Sequence, residues 1–125
     1  MAKKAWRLIF VEGLLHNYLE GDEVWTFRKY SPGSHEFVKG QIIEGHFKDG
    51  LMLLLEVMED TRVKPFRDIT DDECGAWGDC SYKVMMKQMA EYYPGVIGDD
   101  TAALICTRLA RVGDRQIAGF LPEGV

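Results

Sequence analysis

Hydrophobic residues in this chain come in short, dense runs whose period switches between two and about three and a half. Trp6, Leu8, Ile9, Phe10 and Val11 make a first run over 5–11 that alternates poorly but is rich in strand formers, so it predicts a short strand. Leu14, Leu15, Tyr18 and Leu19 then recur at helical spacing over 13–21, a segment that Gly21 ends. Glu23 to Tyr30 reads as a second strand and Gln41 to Phe47 as a third, with Ser31-Pro32-Gly33-Ser34 between them as turn chemistry. Lys48-Asp49-Gly50 carries the Asp-Gly pair of a tight hairpin. The almost wholly apolar Leu51–Met58 predicts a core strand that extends towards Val63.

Two helices follow. Ile69–Glu73 reads as a short one, capped by Asp68 or Thr70, with acids in its first turn where the helix dipole favours them. Ser81–Tyr93 is the clearest, with Tyr82, Met85, Met86, Met89 and Tyr93 on one stripe and Pro94-Gly95 as its stop. Ala102–Ala110 is a last strand, and the tail over 113–125 is turn-rich and weakly patterned. Short links between strands, with helices set among them, predict one domain of α+β class built on a small, partly closed β-barrel with flanking helices.

Bulk properties narrow the function classes. The chain has 125 residues, of which 46% are hydrophobic and 28% charged, an ordinary balance for one globular core. Its formal net charge of −5 argues against a protein that holds duplex DNA by charge. The charge is uneven: residues 1–11 carry +3, residues 24–48 carry +2, and residues 59–79 carry −4. A locally basic segment on an acidic body suits a small anionic or polar ligand, or a short single strand, better than duplex. The acidic segment suits a basic protein partner. No stretch approaches the ~20 apolar residues of a membrane span, and no leader pattern is present, so a cytoplasmic protein is expected.

The candidate chemistry concentrates in 23–40. Thr26 and Arg28 are two apart on one strand face, shared with Val24 and Tyr30, while Trp25, Phe27 and Lys29 share the other. If the aromatic pair faces the core, Thr26 and Arg28 lie at a cleft or at solvent. Arg28 offers a rigid fork of donors for a phosphate, carboxylate or carbonyl edge. The loop then brings Ser34 and His35, Lys29 and Lys39 supply charge at the rim, and with the opposite parity Trp25 or Tyr30 stacks on a base. The acids Asp71, Asp72 and Glu73 are a further candidate, as a general base. Blander roles stand beside these: a surface arginine paired to an acid, a histidine and a serine that cap a turn, acids at 71–73 that cap a helix and complement its dipole. The three cysteines, Cys74, Cys80 and Cys106, form no CxxC pattern, and neither His35 nor His46 has ligand-like spacing to them, so no metal site is expected. No phosphate-binding or dinucleotide-binding glycine pattern occurs, so no cofactor is expected.

The order Leu-Glu-Gly-Asp-Glu-Val-Trp-Thr-Phe-Arg over 19–28, then Ser34-His35, Phe37 and Gly40, resembles the ASCH domain, a branch of the PUA-like barrel superfamily. The likeness continues through Val63–Glu73 and Met89–Pro94, and so spans roughly residues 6–110. It implies a barrel whose cleft accepts RNA, a nucleoside or a nucleotide. Some bacterial members are amidohydrolases that deacetylate acetylcytidine with a lysine, a threonine and a glutamate. Thr26 and Arg28 match that subgroup's strand motif, but Glu23 stands where its lysine falls, and Asp79 is nearest to its acid. A threonine needs a base to become a nucleophile. Glu23 can take a proton but cannot then present a cation, so the resemblance implies binding first and hydrolysis by Thr26 and Glu23 as the alternative.

Overall fold

The computed structural model describes residues 7–10, 15–48, 50–78, 81–112, 115–116 and 118–119. Its elements are β1 (Arg7–Phe10), α1 (Leu15–Leu19), β2 (Val24–Lys29), β3 (Ile42–Phe47), β4 (Met52–Val57), β5 (Arg62–Pro65), a 3-10 turn (Phe66–Asp68), α2 (Asp71–Gly78), α3 (Tyr82–Tyr92) and β6 (Thr101–Leu109). Three two-residue strands follow: β7 (Arg111–Val112), β8 (Arg115–Gln116) and β9 (Ala118–Gly119).

A mixed sheet of seven strands carries the fold in the order β1-β3-β4-β6-β2, with β5 on β6 and β9 on β4. Among the described strands only β1 and β3 pair in parallel, in the register Ile9↔His46. β3 and β4 form the expected hairpin; Gly50 takes a φ of +80° and donates to the Phe47 carbonyl at 3.1 Å, while Asp49 lies outside the described residues. β6 is the spine. One edge pairs with β2 through Thr26↔Ile105 and Arg28↔Ala103, and the other is shared by β4 and β5.

The sheet curls, and each face buries its own core. Inside the curl lie Leu8, Phe10, Tyr18, Val24, Phe37, Ile43, Phe47, Leu53, Leu55, Val57, Ala103, Ile105 and Leu109. Phe10 stacks on Phe47 at 4.7 Å, and Tyr18 meets Phe47 edge-on at 5.8 Å. A Cβ on Gly45 would stand 2.7 Å from Leu55 Cδ1 and 3.3 Å from Phe10, so β3 passes these side chains without one of its own. Outside the curl, Phe27, Ala102 and Leu104 of the sheet pack with Phe66, Ile69, Cys74, Met85 and Met89. The α+β class and a barrel-like sheet are therefore observed, and no helix among the described residues is long and apolar enough to cross a membrane.

Three elements differ from expectation. The predicted strand into Val63 is two strands, β4 and β5, separated at Met58–Thr61. The helix at 69–73 starts later and runs on to Gly78, because Thr70 and Glu73 cap it reciprocally: Thr70 Oγ1 accepts from the Glu73 N–H at 3.1 Å, and Glu73 Oε1 accepts from the Thr70 N–H at 2.9 Å. Its last turn is held by tertiary contact, Trp77 stacking on Phe27 at 5.2 Å. The weakly patterned tail contributes β8 and β9.

Candidate functional site

β2 is buried on both faces, and this decides where each candidate residue goes. Its even positions, paired with odd positions of β6, face the inside of the curl. Thr26 is 1% exposed and Arg28 8% exposed, so neither stands at an open cleft, which corrects the expectation for that face. Trp25 and Phe27 do face a core, but it is the outer one, under α2 and α3.

Arg28 joins the two free edges of the sheet. Its Nη1 donates to the Ile9 carbonyl of β1 at 2.6 Å, and its guanidinium lies 5.0 Å from the Phe10 ring centroid. β1 and β2 end the strand order, so this bond spans the open seam of the curl. Deeper inside, Tyr18 and Thr107 hydroxyls share a hydrogen bond of 2.7 Å. The Thr26 hydroxyl is buried and finds no partner among the described residues. Burying a hydroxyl without a hydrogen bond is unfavourable, so Thr26→Val is expected to raise stability by about 1 kcal/mol. The urea midpoint reads this directly; a fall would mean that the hydroxyl is engaged in the native state.

The loop after β2 is tied down by its own side chains. Tyr30 donates from its hydroxyl to Glu36 Oε1 at 2.7 Å, and Glu36 Oε2 accepts from the Gly33 N–H at 3.0 Å. The Tyr30 bond raises the phenol's pKa and, with the Gly33 bond, lowers that of the carboxyl. His35 Nδ1 accepts from the Ser31 N–H at 3.2 Å, which requires the neutral ring. Burial and then the nearby Arg28 cation push His35 down to about 4. Lys39 donates from its backbone to Asp60 at 2.8 Å, and Ser34, Lys29 and Lys39 are exposed. Thus Thr26, Arg28 and His35 belong to the inner side of the sheet, and Ser34 and both lysines to the surface.

Glu23 goes elsewhere. It lines a groove on the outer side, between β2, the end of α1 and α2. One cavity of about 230 Å³ is bounded by Trp25, Arg62, Asp72, Glu73 and Ala76. A second of about 260 Å³ is bounded by Asn17, Asp22, Glu23, Val24, Trp25, Ala76 and Trp77. They share Trp25 and Ala76, so Trp25 is the common wall. Arg62 lies over the Trp25 ring at 4.8 Å and pairs with Glu59 at 2.7 Å and Glu73 at 3.2 Å. Burial alone would raise the Glu73 pKa, but the Lys64 ammonium at 2.8 Å, the Thr70 N–H and Arg62 bring it to about 2. Glu73 is therefore a fixed anion that ties β5 to α2.

Glu23 Oε1 is 4.0 Å from the Cys106 thiol, which burial and then the Glu23 charge push up to about 12. That thiol is protonated and unreactive at neutral pH. Glu23 and Thr26 lie on opposite sides of the sheet, so this pair is not assembled as nucleophile and base. Asp79 and Cys80 lie outside the described residues. Sequence reading did not select Arg62 or Trp77 for the site, and it weighed Asp72, with Asp71 and Glu73, as a general base but favoured a capping role; the local signals here are the capping box and an aromatic at the end of an acidic helix. No group of three or more His, Cys, Asp or Glu among the described residues is arranged to hold a metal. No family model, no curated protein and no solved structure matches this chain, so the function is read from the groove itself.

Proposed function

We propose that this chain is an ASCH-like, PUA-like domain whose outer groove binds a ligand of nucleoside size. The observation that carries the reading is Trp25, a half-buried indole that forms the shared wall of two adjoining cavities, with carboxylates, an amide and a guanidinium around it. Each cavity is somewhat smaller than the ~300–1,000 Å³ of typical small-ligand sites, and the two adjoin at Trp25 and Ala76. A flat base fits against an indole face, and the polar rim of Asn17, Glu23, Asp72 and Arg62 offers both donors and acceptors to its edge. Placement of Glu23 and Thr26 on opposite sides favours binding over hydrolysis, since a general base must reach its proton at about 2.6–3.2 Å or through one water.

Stacking of a base on an aromatic side chain contributes ~1–3 kcal/mol, so Trp25→Ala is expected to weaken nucleoside binding by roughly fivefold to 150-fold. Calorimetric titration of both proteins with a panel of nucleosides measures it, with far-ultraviolet circular dichroism as the folding control. Unchanged affinity in a folded Trp25→Ala protein would remove the groove as the site.

A further inference from the structure

We infer that the groove selects nucleosides whose base carries a full positive charge, such as a ring-N-methylated adenine or cytosine, over neutral or phosphorylated ones. This rests on the ligand class proposed above and adds its charge. The physical basis is the pairing of indole faces with unneutralised carboxylates. An indole face attracts a cation through its quadrupole, and the attraction grows as water is removed. Trp25 already holds one cation in this way, the Arg62 guanidinium at 4.8 Å. Trp77 has Phe27 stacked against it at 5.2 Å, and both tryptophans line the 260 Å³ cavity together with Asp22 and Glu23.

The charge around these rings is not balanced internally. Glu73 is held by Lys64 and Arg62, and Arg62 is held in turn by Glu59. Asp22, Glu23 and Asp72 have no ion pair with a cation among the described residues, and all three are groove-lining and exposed. A neutral base gains only stacking here. A base with a delocalised positive charge gains the indole quadrupole and the field of three carboxylates as well. A phosphate meets the same carboxylates as like charges, which opposes nucleotides and an RNA backbone in this groove. Asn17 and the Glu23 carboxylate supply an amide and an acceptor for the amino edge of such a base.

The test uses matched pairs that differ by one methyl group and one charge: 1-methyladenosine against adenosine, and 3-methylcytidine against cytidine, at pH 7 and low salt, by tryptophan fluorescence titration. The charged member is expected to bind at least ~10-fold more tightly, equivalent to ~1.4 kcal/mol, and its 5′-monophosphate to bind more weakly than the nucleoside. In an Asp22→Asn, Glu23→Gln double variant the preference should fall below about threefold. Both positions are exposed, so the thermal midpoint should hold, and affinity should fall more for the charged member of each pair than for the neutral one. Equal affinities within each pair would overturn the charge selection and leave the ligand class standing. Argininamide binding as tightly as the methylated nucleosides would overturn it too, by showing that a bare cation suffices. Silence from every nucleoside would overturn both this inference and the ligand class beneath it.

Discussion

Arg28→Ala is expected to destabilise the chain by about 3–5 kcal/mol, a large share of the ~5–15 kcal/mol that holds a domain of this size. The side chain donates a charged hydrogen bond to the Ile9 carbonyl at 2.6 Å and covers the Phe10 ring. Hydrogen bonds to charged groups contribute ~1.5–3 kcal/mol, a desolvated cation–π contact up to about 2, and truncation adds the cost of a cavity. Because β1 and β2 are the two ends of the strand order, the loss is concentrated at the seam, where the curled sheet has no ladder to close it. The urea midpoint should fall sharply for Arg28→Ala and less for Arg28→Lys, which keeps the charge but not the planar fork. A loss under about 1 kcal/mol in the alanine variant would show that the bridge is dispensable. The folded Arg28→Lys protein should bind nucleosides normally, since Arg28 does not line the groove.

Acidification from pH 6.5 to 4 is expected to remove up to about 3 kcal/mol of stability through His35. The ring is half-buried beside Arg28 and accepts a backbone N–H, so its pKa falls to about 4 from an ordinary 6.5. The native state then binds fewer protons than the unfolded chain across that window. Its advantage is fully present above pH 6.5 and lost as pH falls through 4. Glu73, lowered to about 2, adds a second loss at lower pH, present above the ordinary carboxyl value of 4.5 and lost as pH falls through 2. Urea titrations at stepped pH should flatten between 6.5 and 4 in His35→Asn while keeping the lower limb. A ring signal titrating near 6.5 in the native protein would defeat this account. In a folded Arg28→Lys or Arg28→Ala protein the His35 value should also move if the guanidinium's position matters as its charge does.

Local pattern was enough for most of the frame. Strand formers at 24–29 and 42–47, the Asp-Gly pair at 49–50, and the methionine stripe at 85–89 each act through backbone preference or spacing within one element. Loop residues 31–37 also behave as turn chemistry predicts, with Glu36 as the unforeseen clamp on Tyr30 and Gly33. α2 was legible only at its start, where Thr70 and Glu73 speak to each other over three residues; its last turn depends on Phe27, far away in the chain.

The placement of the candidate residues was a different kind of question. Period two in β2 separates Val24, Thr26 and Arg28 from Trp25 and Phe27, and the sequence by itself determines that division through the alternation of a strand. Which set lies inside the curl does not follow, because β2 has apolar partners on both sides: the inner core takes Val24 and the helices take Phe27. Only the tertiary structure decided that Arg28 closes the seam and that Glu23 lines a cavity with Trp77, next to the one that Asp72 lines. Those outcomes come from long-range pairing of β6 with β2 and from the docking of α2, and neither leaves a mark within one element's spacing.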